Sequence, residues 1–221
     1  MVAGGFRLAS NWGQLFPGHF KRIFNQTVFF EDCSEEDRLL FEHEMQSLFK
    51  RVSMAANGKR LLLKSPPQTG RLRMLQRLYP RAKFIFIRRN PYYVYQSNLK
   101  LWRSFDAQCL DDPKPGQTTE NILWSFNKTL ECYERDKKAL APGQLTEVSY
   151  EEFMKDPMGN LERIYTELKL TGFLAAKPEF EKYLAQKHGT NIDRYSFTDE
   201  VYNAVETHWK KWLDLWGYTR P

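Results

Sequence analysis

Apolar positions recur along this chain in two rhythms, one helical and one strand-like, and their order predicts the architecture. Residues 1–30 carry Gly and Phe without a clear period, which predicts loops and a short helix. Ser34, with Asp37 three residues on, reads as a helix cap. Phe41, Met45, Leu48 and Val52 then follow at helical spacing until Asn57-Gly58 stops the run. Arg60 to Lys64 is a strand-sized apolar run, closed by Ser65-Pro66-Pro67 because consecutive prolines cannot serve a central ladder. Thr69 to Tyr79 reads as a short basic helix carrying Leu72, Leu75 and Leu78, ended by Pro80. Lys83 to Arg88 is a second strand, apolar on both faces as a central parallel strand should be.

Asn90-Pro91 starts the next helix, with Asn as cap and Pro at the first helical position, and the pattern runs to about Arg103. After a loop from Asp111 to Gly116, Leu123, Phe126, Leu130 and Tyr133 mark one face of a long helix. Pro142-Gly143 turns the chain into a third strand, Gln144 to Ser149. Asp156-Pro157 opens a helix with Leu161, Ile164 and Leu168. The last helix sets Val201, Val205, Trp209, Trp212 and Trp216 on one stripe before Gly217, a stripe that reads as core. Strands alternating with helices in this order predict an α/β domain with a parallel sheet flanked by helices. With no repeat or low-complexity segment, residues 1–221 read as a single domain.

Composition narrows the function classes. The 221 residues are 42% apolar and 15% aromatic, enough for one continuous core and unlike a disordered chain. A net charge of +6 suits an anionic ligand as well as an ordinary basic surface. No Lys/Arg block is interleaved with aromatics, so nucleic acid is not an expected partner; a basic nucleic-acid-binding scaffold stays only as a rival class. Cys33, Cys109 and Cys132 are widely spaced without a C-x-x-C pair, which predicts buried free thiols and no metal site. The longest apolar runs, Leu61 to Leu63 and Phe84 to Ile87, are too short to cross a bilayer. The first ten residues lack a leader pattern, so the cytoplasm is the expected compartment. Sequons at Asn25 and Asn127 leave a Golgi lumen open for a chain shortened at its start.

The run from Arg88 to Ser97 carries the chemistry. A buried strand delivers two guanidinium groups to the carboxyl edge of a sheet, where α/β folds bind ligands, and a capped helix begins at once. A guanidinium fork suits phosphate geometry, and Ser97 adds a short neutral donor about two turns along. Lys64 to Arg71, then Phe84 to Pro91 with Val94 and Ser97, resemble the core of the sulfotransferases, in particular the branch whose strand reads LKxPxHT. In that family an R-N-P-x-x-V-x-x-S run binds the 3′-phosphate of 3′-phosphoadenosine 5′-phosphosulfate. The resemblance puts those roles on Arg89 and Ser97, eight residues apart as in the family. Val148 to Phe153 with Asp156-Pro157 is similar to the family's YEDL…DP segment, whose Tyr lies near the adenine; that position is Tyr150. The resemblance extends to the closing Trp-Gly-Tyr at 216–218. It implies a fold like that of the P-loop nucleotide kinases and transfer of a sulfuryl group to a hydroxyl or amine of a small-molecule, sugar or protein acceptor.

Two departures shape the expectation. The family's Gly/Ser/Thr-rich loop, whose backbone N–H groups cradle the 5′-phosphosulfate, has no counterpart here, since Gly4-Gly5 and Gly13 lack a preceding apolar strand. The fold is therefore expected without its first strand and loop, and Arg7 to Ser10 is the fallback place for a cradle. Four positions after Lys64, where the branch carries His, stands Gln68, which orients a proton but cannot accept one. Lys64 and Gln68 are the catalytic candidates, Lys64 supplying charge. The rival within the family is a non-catalytic or truncated nucleotide-binding remnant. No G-x-x-x-x-G-K-[ST] run is present, which counts against an ATP-dependent kinase.

Overall fold

In the computed structural model, which describes residues 12–105, 108–109, 111, 114–187 and 195–221, two strands pair in parallel. Strand β1 (Phe84–Arg88) runs beside β2 (Leu145–Ser149), from Phe84 opposite Leu145 to Arg88 opposite Ser149. Around them the described α-helices are, in chain order, α1 (Trp12–Leu15), α2 (Phe20–Phe24), α3 (Glu35–Ala55), α4 (Leu72–Leu78) and α5 (Pro91–Arg103). They continue with α6 (Gln117–Asp136), α7 (Tyr150–Lys155), α8 (Pro157–Glu167), α9 (Phe173–Lys187) and α10 (Asp199–Trp216). The result is a helix-rich α/β fold with a small parallel sheet. Gly4, Gly5 and the stretch Arg7 to Ser10 lie outside the described residues, as does part of the loop between Asp111 and Gly116.

The chain forms two compact units, Met1–Leu72 with Asn98–Arg135, and Arg73–Ser97 with Asp136–Pro221. In the first, Ser34 caps α3 by accepting from the Asp37 N–H at 3.0 Å, and three acidic residues sit in the first turn, favoured by the helix dipole. Phe41 and Met45 are buried as the spacing predicts, but Val52 is exposed, so the apolar stripe loses its cover toward the end of the helix. Asn57 and Gly58 both take positive φ there, and the Gly58 N–H reaches back to the Ser53 carbonyl at 2.9 Å. Phe20 packs on Phe24 and Trp102, and Phe29 on Trp124, with ring centroids 4.1, 4.8 and 5.9 Å apart. This aromatic cluster closes the core of the first unit.

Arg60 to Lys64 is not a strand. The segment is irregular, Leu62 is 88% exposed, and among the described residues no strand runs beside it. A ladder needs a partner, and Pro66–Arg71 coils at once into a 3-10 helix that leads into α4. The predicted helix from Thr69 to Tyr79 is thus two elements, with the prolines opening the first rather than merely ending a strand. Of the cysteines, only Cys132 is buried; Cys33 and Cys109 are partly exposed, and all are free thiols.

In the second unit Val148 is buried against Ile164 and Leu168, with Phe153 and Leu170 at the edge of the cluster. The two faces of β1 differ, contrary to the expectation of burial on both. Ile87 is 59% exposed and Ile85 39%, whereas Phe84 and Phe86 face inward, Phe86 beside Trp216 at 6.2 Å. Helix α10 buries Val201, Val205, Trp209 and Trp212 as its stripe predicts, while Trp216 is only partly covered. Gly217, at φ 68°, ends the helix by bonding its N–H to Leu213 O. Helix α9 has no counterpart in the sequence reading, because Pro178 inside it interrupts the pattern.

Candidate functional site

The parallel register builds the site. Arg88 stands opposite Ser149, so the next residues along, Arg89 and Tyr150, leave the sheet side by side at its carboxyl edge. The Arg89 guanidinium lies over the Tyr150 ring at 4.5 Å and over the Tyr93 ring at 5.4 Å. Each contact of this kind contributes about 0.5–1 kcal/mol where solvent reaches it, and two together orient a planar group. Among the described residues no carboxylate pairs with Arg89, so its N–H fork is left for an anion. Ser97 comes four residues after Tyr93 on α5, on the same face of that helix. Of the three binding candidates in the sequence, Arg89 and Tyr150 are in contact, and Ser97 lies on the face of α5 that also carries Tyr93. Tyr93, between them, was missed, although its place three residues into the helix after Asn90-Pro91 was a usable signal.

Arg88 does not simply face solvent. It shares the inward side of β1 with Phe84 and Phe86, and its Nε is buried without a hydrogen-bond partner among the described residues. Helix α5 starts as its sequence dictates: Asn90 Oδ1 accepts from the Tyr92 N–H at 3.1 Å, with Pro91 in the first turn. A helix beginning at that point adds backbone N–H dipoles that favour negative charge beside Arg89.

Two carboxylates anchor this corner. Glu151 accepts from the Asn90 N–H at 2.9 Å, from Ser149 Oγ at 2.9 Å and from the Tyr218 hydroxyl at 2.6 Å. Burial pushes its pKa upward, but the hydrogen bonds from Tyr218, Asn90 and Ser149 outweigh burial and hold it below the usual carboxylate range. Glu206 accepts from the Tyr92 hydroxyl at 2.9 Å and takes both Arg220 Nε and NH2, at 2.5 and 2.7 Å. The Arg220 guanidinium, then Tyr92, draw the Glu206 carboxyl down to about 2. Asn90 Nδ2 also donates to Thr219 O at 3.2 Å. Residues 218–220 therefore tie the last stretch of the chain to the start of α5.

Burial, reinforced by Glu206 and Glu151, pushes the Tyr92 and Tyr218 hydroxyls up to about 12, from an ordinary 10.0. A group whose folded pKa is raised lends stability that is complete below its unfolded pKa and is lost as pH rises through the folded value. The chain is therefore expected to lose stability between about pH 10 and 12, and Tyr92→Phe with Tyr218→Phe should flatten that fall. Thermal unfolding followed by circular dichroism across this range checks it; an unchanged slope in the double variant would refute it.

Lys64 and Gln68 belong to the first unit. Lys64 is exposed at the end of the irregular segment. Gln68 sits in the 3-10 helix, its backbone N–H bonded to Ser65 O at 3.0 Å and its Oε1 facing Arg71 NH1 at 3.5 Å. Arg71 is 5% exposed and gives Nε and NH2 to the Thr27 carbonyl at 3.1 and 2.5 Å, over the Phe41 ring at 4.7 Å. Desolvation lowers its pKa to about 10. Gly70 next to it is required by space: a Cβ there would meet Phe29 at 2.8 Å and Val28 at 2.9 Å. Arg71 and Gly70 together hold the turn that presents Gln68. Among the described residues no group of three or more His, Cys, Asp or Glu side chains is placed to hold a metal, and no helix is long and apolar enough to cross a membrane.

A sequence model described as the Sulfotransferase family matches residues 9–173. The chain is 29% identical over 184 residues to the omega-hydroxy-beta-dihydromenaquinone-9 sulfotransferase Stf3 of Mycobacterium bovis, and equally to that of Mycobacterium tuberculosis. Each match covers 83% of this chain and 46% of the relative, so the chain spans about half the length of the curated relatives it matches. The crystal structure of sulfotransferase STF9 from Mycobacterium avium superposes with a TM-score of 0.66 at 18% identity, over 93% of this chain and 52% of that one. The fold is shared.

Proposed function

The chain belongs to the sulfotransferase family, and on that premise we propose that its Arg89 corner binds the 3′-phosphate of 3′-phosphoadenosine 5′-phosphosulfate and that the protein transfers the sulfuryl group. The observation that carries this reading is the Arg89 guanidinium, held over Tyr150 and Tyr93 with no carboxylate partner among the described residues. A preoriented fork beside a helix start suits a dianionic phosphate. Ser97 adds a hydroxyl donor, and Tyr150 offers its outer face and edge to the adenine. AMP has no 3′-phosphate, so tighter binding of adenosine 3′,5′-bisphosphate than of AMP, measured by calorimetry, is the direct test. Equal affinities would overturn the reading.

In the proposed reaction an acceptor hydroxyl oxygen bonds to sulfur and its proton passes to solvent water, while the sulfur–oxygen bond to the 5′-phosphate breaks and adenosine 3′,5′-bisphosphate leaves with that bond's electron pair. Such transfer depends on positioning and on cations at the transferring and bridging oxygens. Lys64, exposed and without a partner among the described residues, is the proposed charge, and Gln68 orients the acceptor hydroxyl. The acceptor proposed is a small-molecule hydroxyl, as in the omega-hydroxy compound of the relatives' name. Sulfate transfer from labelled donor to such an alcohol tests the activity. Gln68→His is expected to raise turnover by about tenfold or more and to add a pH dependence near neutrality. A flat profile at an unchanged rate would put Gln68 away from the acceptor oxygen.

A further inference from the structure

We propose that Glu151 is the positioning residue of the nucleotide site, holding the Arg89–Asn90 turn in its phosphate-binding shape through the backbone N–H of Asn90. The inference rests on the reading of Arg89 as the 3′-phosphate ligand. Arg89 lies between β1 and α5 and belongs to neither, so its direction is set by the backbone that follows it. That backbone is held by one carboxylate oxygen: Asn90 N to Glu151 Oε1 at 2.9 Å, joining residues 61 apart in sequence. The other oxygen is held by Ser149 and by Tyr218, so the carboxylate itself has little freedom. Ser149 Oγ lies 3.3 Å from the Tyr218 hydroxyl, which closes the network around Glu151. Because Tyr150 stacks on Arg89 and Glu151 follows it, the same two residues of α7 hold both the side chain and the main chain of the turn. Tyr218 makes the tail after α10 part of the same device.

A groove that binds a charged ligand depends on such support, because a displacement of a fraction of an ångström breaks a bidentate contact. Removing the support affects the 3′-phosphate more than the rest of the nucleotide. The experiment is therefore a ratio: the affinity for adenosine 3′,5′-bisphosphate divided by that for AMP, in the wild type and in variants, with the ligand-free melting midpoint recorded for each. Glu151→Ala is expected to lower the ratio by about tenfold, the size of one lost charge-assisted bond. Glu151→Gln, which keeps an acceptor for Asn90 and donors for the rotatable hydroxyls, should restore most of it. Tyr218→Phe, with Glu151 still bonded to Asn90 and Ser149, should lower it by about threefold and serves if Glu151→Ala does not fold.

A merely structural role would lower the melting midpoint and leave the ratio unchanged, and that result overturns the inference. So does an unchanged ratio in Tyr218→Phe. If instead the wild type itself shows no preference for the bisphosphate, the reading of Arg89 falls and takes this inference with it. A wild-type preference that needs Arg89 but ignores Glu151 defeats only the inference.

Discussion

Arg89→Ala should bind adenosine 3′,5′-bisphosphate roughly 30-fold to several thousand-fold more weakly than the wild type, with AMP affected far less. Truncating a charged partner of a buried or stacked ionic contact costs about 2–5 kcal/mol, which converts to that range. The structure sharpens the argument because Arg89 is already oriented by Tyr150 and Tyr93, so little ordering entropy opposes the contact. Bisphosphate at 100 times its dissociation constant should stabilise the wild type by about 2.7 kcal/mol, or roughly 5–10 °C for a chain of this size. Arg89→Ala should abolish most of that shift and Ser97→Ala a smaller part. Arg88→Ala is a different case. Its side chain is partly buried on the inward face of β1, so the expected loss there is in ligand-free stability. A full ligand-induced shift in Arg89→Ala, read by differential scanning fluorimetry, would contradict the assignment.

Trp209→Ala should destabilise the fold by about 3–5 kcal/mol, a large share of the stability of an ordinary domain. Trp209 is 0% exposed, and its ring meets Tyr95 of α5 edge to face at 5.6 Å. The cavity left behind would undercut the core-facing side of α5. Tyr92 and Tyr95 face the core, whereas Tyr93 faces Arg89, so one helix carries both core packing and the contact to Arg89. The expected result is a large drop in the urea midpoint at an unchanged slope, with nucleotide preference retained in whatever fraction stays folded. A variant as stable as the wild type would mean that α10 is not the core element its burial indicates.

Local chemistry made several elements legible without any structure. Ser34, Asn90 and Asp156 cap the helices they were assigned to, because a side-chain oxygen close in sequence can satisfy a helix N–H without help from elsewhere. The stripe of α10 and the two paired strands were readable for the same reason, since their periodicity is local. Arg89 and Tyr150 could be named from the order of residues in matched motifs, and their contact then followed from one parallel register. Long-range partnership decided the rest. Arg60 to Lys64 has the composition of a strand, but composition supplies no neighbour, and the segment forms no ladder. The exposed Ile85 and Ile87 look like any buried apolar pair until the cover of each sheet face is known. Glu151 reaches Asn90 across 61 residues and Tyr218 across 67, and no local spacing announces such bonds. The residues proposed for the phosphate therefore stand in short motifs, whereas the bonds around them exist only once distant parts of the chain have come together.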